Sequence, residues 1–181
     1  MFFQAKNYTK GRSGKQVKLI VIHTMESGEQ PGKAKQVAMW FAGKTAPEAS
    51  AHYCVDNKSV VSSVKETDTA WAVGQSDINR ISISIELAGS ASQSKLQWKD
   101  KYSSDMLAVA AKLVAELCNK YRIPVKKLSP NQVRTGSGII GHVDVTKAYR
   151  IQGGHTDPGL NFPWADFIKL VESEYNLLGG K

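Results

Sequence analysis

The chain has 181 residues, of which 41% are hydrophobic and 22% charged, with a formal net charge of +8. That length and balance fit one globular domain with a sizeable core. They exclude a bilayer-spanning helix, because no apolar run approaches the ~18–20 residues one needs.

Taken in chain order, Met1 to Lys6 lacks the apolar core of a signal peptide, so either a mature form or a chain made and kept in the cytoplasm until released by other means is expected. The run Val17-Lys18-Leu19-Ile20-Val21-Ile22-His23 is nearly continuous in apolar, β-branched residues and predicts a strand buried on both faces. A polar loop, Thr24 to Gln30, follows. Pro31 suits a first helical position. From there Ala34, Val37, Ala38 and Phe41 give a helical stripe that Gly43 ends. Residues 51–55 and 59–64, joined by Asp56-Asn57-Lys58, read as a hairpin. Residues 70–74 read as a short extended piece.

Ile81-Ser82-Ile83-Ser84-Ile85-Glu86-Leu87 alternates strictly, placing the isoleucines on one face and Ser82, Ser84 and Glu86 on the other. The longest helix is expected over 103–122, with the stripe Met106, Ala110, Leu113, Val114, Leu117 and Tyr121, halted by Pro124. Gly138 to Gly141 predicts a short strand leading into His142. Pro163 opens a last helix with Phe167, Ile168, Val171 and Tyr175 on one face. The fold class is therefore α/β: a single domain, 1–181, with a central mixed sheet flanked by about three main helices. Cys54 and Cys118 lie 64 positions apart in core-like segments and read as buried free thiols.

The positive charge points to polyanionic partners such as nucleic acid, an anionic membrane surface or an anionic cell wall. The basic residues are spread along the chain without a dense block, and no RNA-recognition aromatic motif is present, so no nucleic acid partner and no membrane insertion are expected. The chain is read as a monomer.

Chemistry concentrates on four histidines, His23, His52, His142 and His155, and two carboxylates. His23 and His142 each follow a short apolar strand and so emerge at the rim of the sheet, where α/β folds place their sites. Either alone is explained by a hydrogen bond to a backbone carbonyl. With Asp157 they make two imidazoles and one carboxylate, a ligand set for catalytic zinc with an open fourth position. Their dispersal in sequence matches no helical zinc signature, so spacing alone does not establish a metal. Glu86, at the end of the serine face, is a candidate general base; the alternative is a solvated strand-end glutamate.

Several motifs then occur in one order: "VIHTM" at 21–25, "SAHYCVDNKSVVSSV" at 50–64, "AWAVG" at 70–74, "NRISISIELAG" at 79–89, "GHVDV" at 141–145 and "HTDPG" at 155–159. Through them, from about Val17 to Tyr175, the chain resembles the zinc-dependent N-acetylmuramoyl-L-alanine amidases of the type-2 amidase and peptidoglycan-recognition-protein family. The resemblance implies one Zn2+ held by His23, His142 and Asp157, with Glu86 as catalytic acid/base and His155 stabilising the oxyanion. Relatives commonly carry lysine at that last position. Ala72 stands where relatives often carry a histidine. His52, Trp71 and Asn79 are assigned to substrate binding, His52 in a supporting role rather than as a ligand, with a buried histidine satisfied by hydrogen bonds as its alternative.

The implied activity is hydrolysis of the bond between N-acetylmuramic acid and L-alanine in peptidoglycan or muropeptides, in the manner of a phage endolysin acting on the wall after release. A bacterial muropeptide-recycling amidase and a non-catalytic peptidoglycan-binding module on the same fold are the alternatives. The presence of all three ligands and the glutamate favours the enzyme.

Overall fold

The computed structural model describes residues 1–179; the last two positions of the 1–181 domain lie outside the described residues. Its centre is a five-stranded sheet built from β2 (Leu19–Thr24), β3 (Tyr53–Val55), β4 (Val60–Ser62), β6 (Ser82–Leu87) and β7 (Gly138–Gly141). The order across the sheet is β4-β3-β6-β2-β7, with β3, β6, β2 and β7 parallel and β4 antiparallel at one edge. A second, two-stranded sheet pairs β1 (Tyr8–Thr9) with β5 (Thr69–Ala70). The mixed sheet is as the sequence predicts.

The strands sort their side chains by parity. Ile20 and Ile22 of β2, with Ile83, Ile85 and Leu87 of β6, share one core with α3 (Lys101–Tyr121) and α5 (Trp164–Leu177). Leu19 and Val21 face the other way, into a cluster with Val73, Ile78, Ile140 and Val145. His23 therefore falls on the face away from α3 and α5, as does Glu86. Cys54 and Cys118 are both free and buried, as expected.

Among the described residues five α-helices are present where about three main ones were expected. The two additional ones, α2 (Ser76–Ile81) and α4 (His142–Ala148), are six and seven residues long, too short to show a hydrophobic period. The first long helix, α1 (Lys33–Ala42), starts two residues after Pro31, because its cap comes from elsewhere in the chain. Asp56 of the hairpin accepts hydrogen bonds from the backbone N–H groups of Gly32 (2.9 Å) and Ala34 (3.2 Å). A partner 22 positions away is invisible to local patterning.

The N-terminal segment is stitched down by a buried arginine. The Arg12 guanidinium donates to four backbone carbonyls, those of Glu66 (2.7 Å), Asn79 (3.4 Å), Arg80 (2.9 Å) and Ser82 (3.0 Å). It thereby ties the strand-poor start of the chain to α2 and β6.

Candidate active site

Parallel strands all end on the same side of a sheet, and that side is where the chemistry-bearing residues gather. His23 is the fifth residue of β2, Glu86 the fifth of β6, and His142 the first residue after β7. Asp157 comes from the loop between α4 and α5. Two contacts hold that loop in place: Val143 N–H donates to the Asp157 carbonyl at 2.9 Å, and Gly141 passes so close to Pro158 that a Cβ would sit 2.6 Å from its Cδ. On its other side Gly159, at φ +96°, lies against the Ala91 backbone, where a Cβ would meet the carbonyl oxygen at 2.1 Å. Only glycine fits there.

The result is a buried three-residue cluster. Nδ1 of His23 lies 3.1 Å from Asp157 Oδ2, Nδ1 of His142 lies 3.3 Å from Asp157 Oδ1, and the three ligand atoms fall within 4.8 Å of one another. Tetrahedral zinc with bonds of ~2.0–2.1 Å separates its ligand atoms by roughly 3.3 Å. The donor set and its spacing therefore fit a zinc ion. Burial alone would raise the Asp157 carboxyl, but His142 and His23 hold it well below the usual carboxylate range. His142 is pushed down by burial, with Asp157 opposing. An ionised carboxylate beside a neutral His142 imidazole is the protonation state a metal needs.

Glu86 sits beside this cluster, in register with His23. Burial, then the charges of Asp157 and Glu26, push its carboxyl well above the usual range. Its Oε2 is buried without a hydrogen-bond partner. A buried oxygen left unpaired calls for a catalytic or ligand-binding explanation, and a raised carboxyl is suited to exchanging protons near neutral pH.

His155 reaches the cluster from the rim. Its ring stacks on His142, with centroids 4.1 Å apart and planes at 15°, while most of the side chain stays exposed. Contact with the cleft wall, then the charge of His142, pushes it below its ordinary value. It is thus a neutral hydrogen-bond donor at pH 7, unlike a lysine.

A cleft of about 790 Å³ opens over the cluster and is lined by Glu86 and His155 together with Trp71, Ala72 and Asn79. Trp71 is 40% exposed on its wall, with Nε1 donating to Thr9 Oγ1 at 2.9 Å. Asn79 lines the cleft too, but its Oδ1 already accepts from the backbone N–H groups of Ala72 (3.2 Å) and Val73 (3.0 Å), so it shapes the wall.

His52 is the departure from expectation. It is 0% exposed and does not line the cleft. Its Nδ1 accepts from Ser84 N–H at 3.0 Å, while its Nε2 lies 2.9 Å from Arg12 Nη2 and 3.3 Å from the Asp68 carbonyl. Burial and the nearby Arg12 charge push it down to about 3. It is a neutral strut between β6 and the 65–70 turn, and no substrate can touch it.

The fold has counterparts among known proteins. The N-acetylmuramoyl-L-alanine amidase family model matches residues 13–160. The chain belongs to that family. N-acetylmuramoyl-L-alanine amidase A of Achromobacter lyticus is 25% identical over 177 residues, covering 92% of this chain and 89% of its own. Among solved structures, the Staphylococcus aureus hydrolase AmiA in complex with its ligand superposes with a TM-score of 0.73 at 14% identity, covering 99% of this chain and 83% of that one. An AmpD derivative gives 0.65 at 22% identity over 94% and 93%. AmiD of E. coli, solved with anhydro-N-acetylmuramic acid-L-Ala-D-γ-Glu-L-Lys, gives 0.58 at 20% identity over 85% and 57%. These structural likenesses establish that this amidase-family chain has the shared fold.

Sequence reasoning missed several residues that frame the site. Asp144 accepts from Gly141 N–H (2.7 Å) and from Lys127 Nζ (2.6 Å), and so braces the turn that carries His142. Lys127 in turn sits 4.6 Å over the Trp164 ring. The signal was present, since an acid two positions past "GH" is a helix-start signature. Trp40, off the apolar stripe of α1, also lines the cleft.

Proposed function

We propose that this amidase-family chain hydrolyses the amide between the lactyl group of N-acetylmuramic acid and L-alanine, with one zinc ion held by His23, His142 and Asp157. The observation that carries the reading is the buried convergence of two imidazoles and a carboxylate, floored by an unpaired glutamate, in an open cleft. When bound, such an ion lowers the pKa of coordinated water to ~7 and polarises a carbonyl oxygen.

The chain's own residues do the rest. Glu86 accepts a proton on its carboxylate as water adds to the lactyl carbonyl carbon. It then delivers that proton to the alanine nitrogen as the C–N bond breaks, leaving a lactyl carboxyl group and a free α-amine. The raised pKa of Glu86 suits both halves of this shuttle. His155 donates a hydrogen bond to the oxygen that develops negative charge, from the rim position its stacking on His142 fixes. Trp71 and the wall shaped by Asn79 contact the substrate.

All three candidate ligands and the glutamate are in place, which supports an enzyme over a module that only binds peptidoglycan. Among the described residues no helix is long and apolar enough to cross a membrane. We read the chain as a monomer that acts on the polymeric wall as an endolysin does. Mass spectrometry of digested murein tests this: new peptides beginning with free L-alanine and metal content near one zinc per chain are expected. Intact lactyl–alanine bonds with zinc-loaded protein would overturn it.

A further inference from the structure

The basic residues are scattered along the sequence, but the fold gathers four of them: Arg12, Lys15, Lys120 and Arg122 line one cavity of about 450 Å³. That cavity shares no residue with the cleft over the metal cluster. Its one acidic lining residue, Glu66, is already engaged. Glu66 Oε1 accepts from the Tyr53 hydroxyl at 2.6 Å, and Oε2 from the Tyr121 hydroxyl at 2.5 Å, with Lys120 Nζ 3.2 Å away. Lys15 and Arg122 are exposed and make no ion pair among the described residues.

Arg12 adds a second, independent observation. It is 8% exposed, yet its direct partners carry no negative charge, being four backbone carbonyls and the His52 ring. A charge buried this far is ordinarily paired with an opposite one. Its Nη2 has two N–H groups and meets one partner, His52 at 2.9 Å, which leaves one donor over among the described residues. The cavity therefore combines a buried charge that no carboxylate pairs with exposed cations around it.

We propose that this cavity is a second binding site, for the phosphate groups of an anionic phosphodiester polymer of the wall, and that it tethers the protein while the cleft works. Guanidinium and ammonium donors suit phosphate oxygens. The cavity sits at the start of β2, beside Val17, and the cleft at its end, beside His23, up to ~20 Å of extended chain away. A polymer held at one end leaves the other open. Nucleic acid carries the same phosphodiester, but single strands are gripped by aromatic faces on which bases stack. Tyr121 is the only aromatic residue in the lining, and Glu66 holds its hydroxyl. The choice of a wall polymer rests on the amidase reading above; the phosphate site itself does not.

The test measures binding of poly(glycerol phosphate) by calorimetry to zinc-loaded wild type and to two double variants of equal charge. One is Lys15→Gln with Arg122→Gln; the control is Lys112→Gln with Lys169→Gln, on exposed positions of α3 and α5. Wild type and control should bind alike, and the cavity variant about tenfold more weakly, with a salt slope shallower by about two. The polymer should leave wild-type cleavage of soluble N-acetylmuramoyl-L-Ala-D-isoGln uninhibited. Absence of saturable binding by wild type, or equal weakening in both variants, overturns the site. So does polymer inhibition that competes with the muropeptide. Tighter binding of oligothymidylate of equal charge overturns the wall polymer in favour of nucleic acid. Polymer binding without any muropeptide cleavage by wild type overturns the amidase reading, and the wall assignment with it.

Discussion

His23 and Glu86 are cross-strand partners: they stand opposite each other in the parallel register of β2 and β6. Parallel pairing puts both side chains on the same face of the sheet, so a candidate metal ligand and a candidate base are fixed by backbone hydrogen bonds rather than by flexible loops. Glu86→Gln keeps shape and removes the exchangeable charge. We expect kcat to fall by ~10²–10⁴ while zinc content and thermal stability hold. A variant that loses zinc together with activity would place Glu86 among the ligands instead.

Removal of the Asp157 carboxylate leaves two imidazoles facing each other without their common anion. Asp157→Ala should purify with background zinc and no turnover. Chelator treatment of wild type should abolish activity and lower Tm, since a ligand that binds only the folded chain stabilises it by mass action. Added zinc should restore both in wild type and neither in the variant, as read by metal analysis and calorimetry.

Behind His142, the Lys127–Asp144 pair fixes the turn from β7 into α4. Asp144→Ala strands the Gly141 N–H and the half-buried Lys127 ammonium. A loss of about 1–3 kcal/mol in stability is expected. Because the same turn aims His142, zinc affinity should weaken ~10–100-fold. Titration with a competing chelator reads the second effect separately from the first.

His155 touches the cluster only through its stack on His142 and a 3.5 Å approach of Nδ1 to Asp157. Loss of one donor to a developing oxyanion typically costs ~10²–10³ in rate. His155→Ala should therefore show that loss in kcat with a full complement of zinc, and His155→Lys should recover much of it. Unimpaired His155→Ala would remove the residue from the reaction.

His52 titrates at about 3 in the folded protein, against ~6.5 in an unfolded chain. Between those values the unfolded state holds the extra proton, so acidification favours unfolding. The contribution is fully present above pH ~6.5 and is lost at up to ~1.4 kcal/mol per pH unit as pH falls towards 3. Denaturant unfolding from pH 7 to 4 should show this slope in wild type, and His52→Asn should be flatter over the same range.

Most of this architecture was legible locally. Alternation in 81–87 gave the strand face that bears Glu86, and the apolar run at 17–23 gave the strand that delivers His23. What local pattern could not carry was long-range closure. The cap of α1 comes from Asp56, the brace of His142 from Lys127, and the burial of His52 from Arg12, 40 positions earlier. His52 shows the cost most clearly. A histidine beside a strand reads the same whether it faces substrate or an arginine, and only the three-dimensional neighbour decides its charge.

The four-carbonyl grip of Arg12 bears on how this domain is cut and joined. The family match begins at residue 13, one position after the arginine that fastens the N-terminal segment to the sheet. A fusion protein trimmed to that homology boundary would discard the guanidinium and its four hydrogen bonds and leave His52 facing a new void. Grafts of this catalytic unit onto wall-targeting modules should therefore keep the residues from Tyr8 onward, where β1 begins.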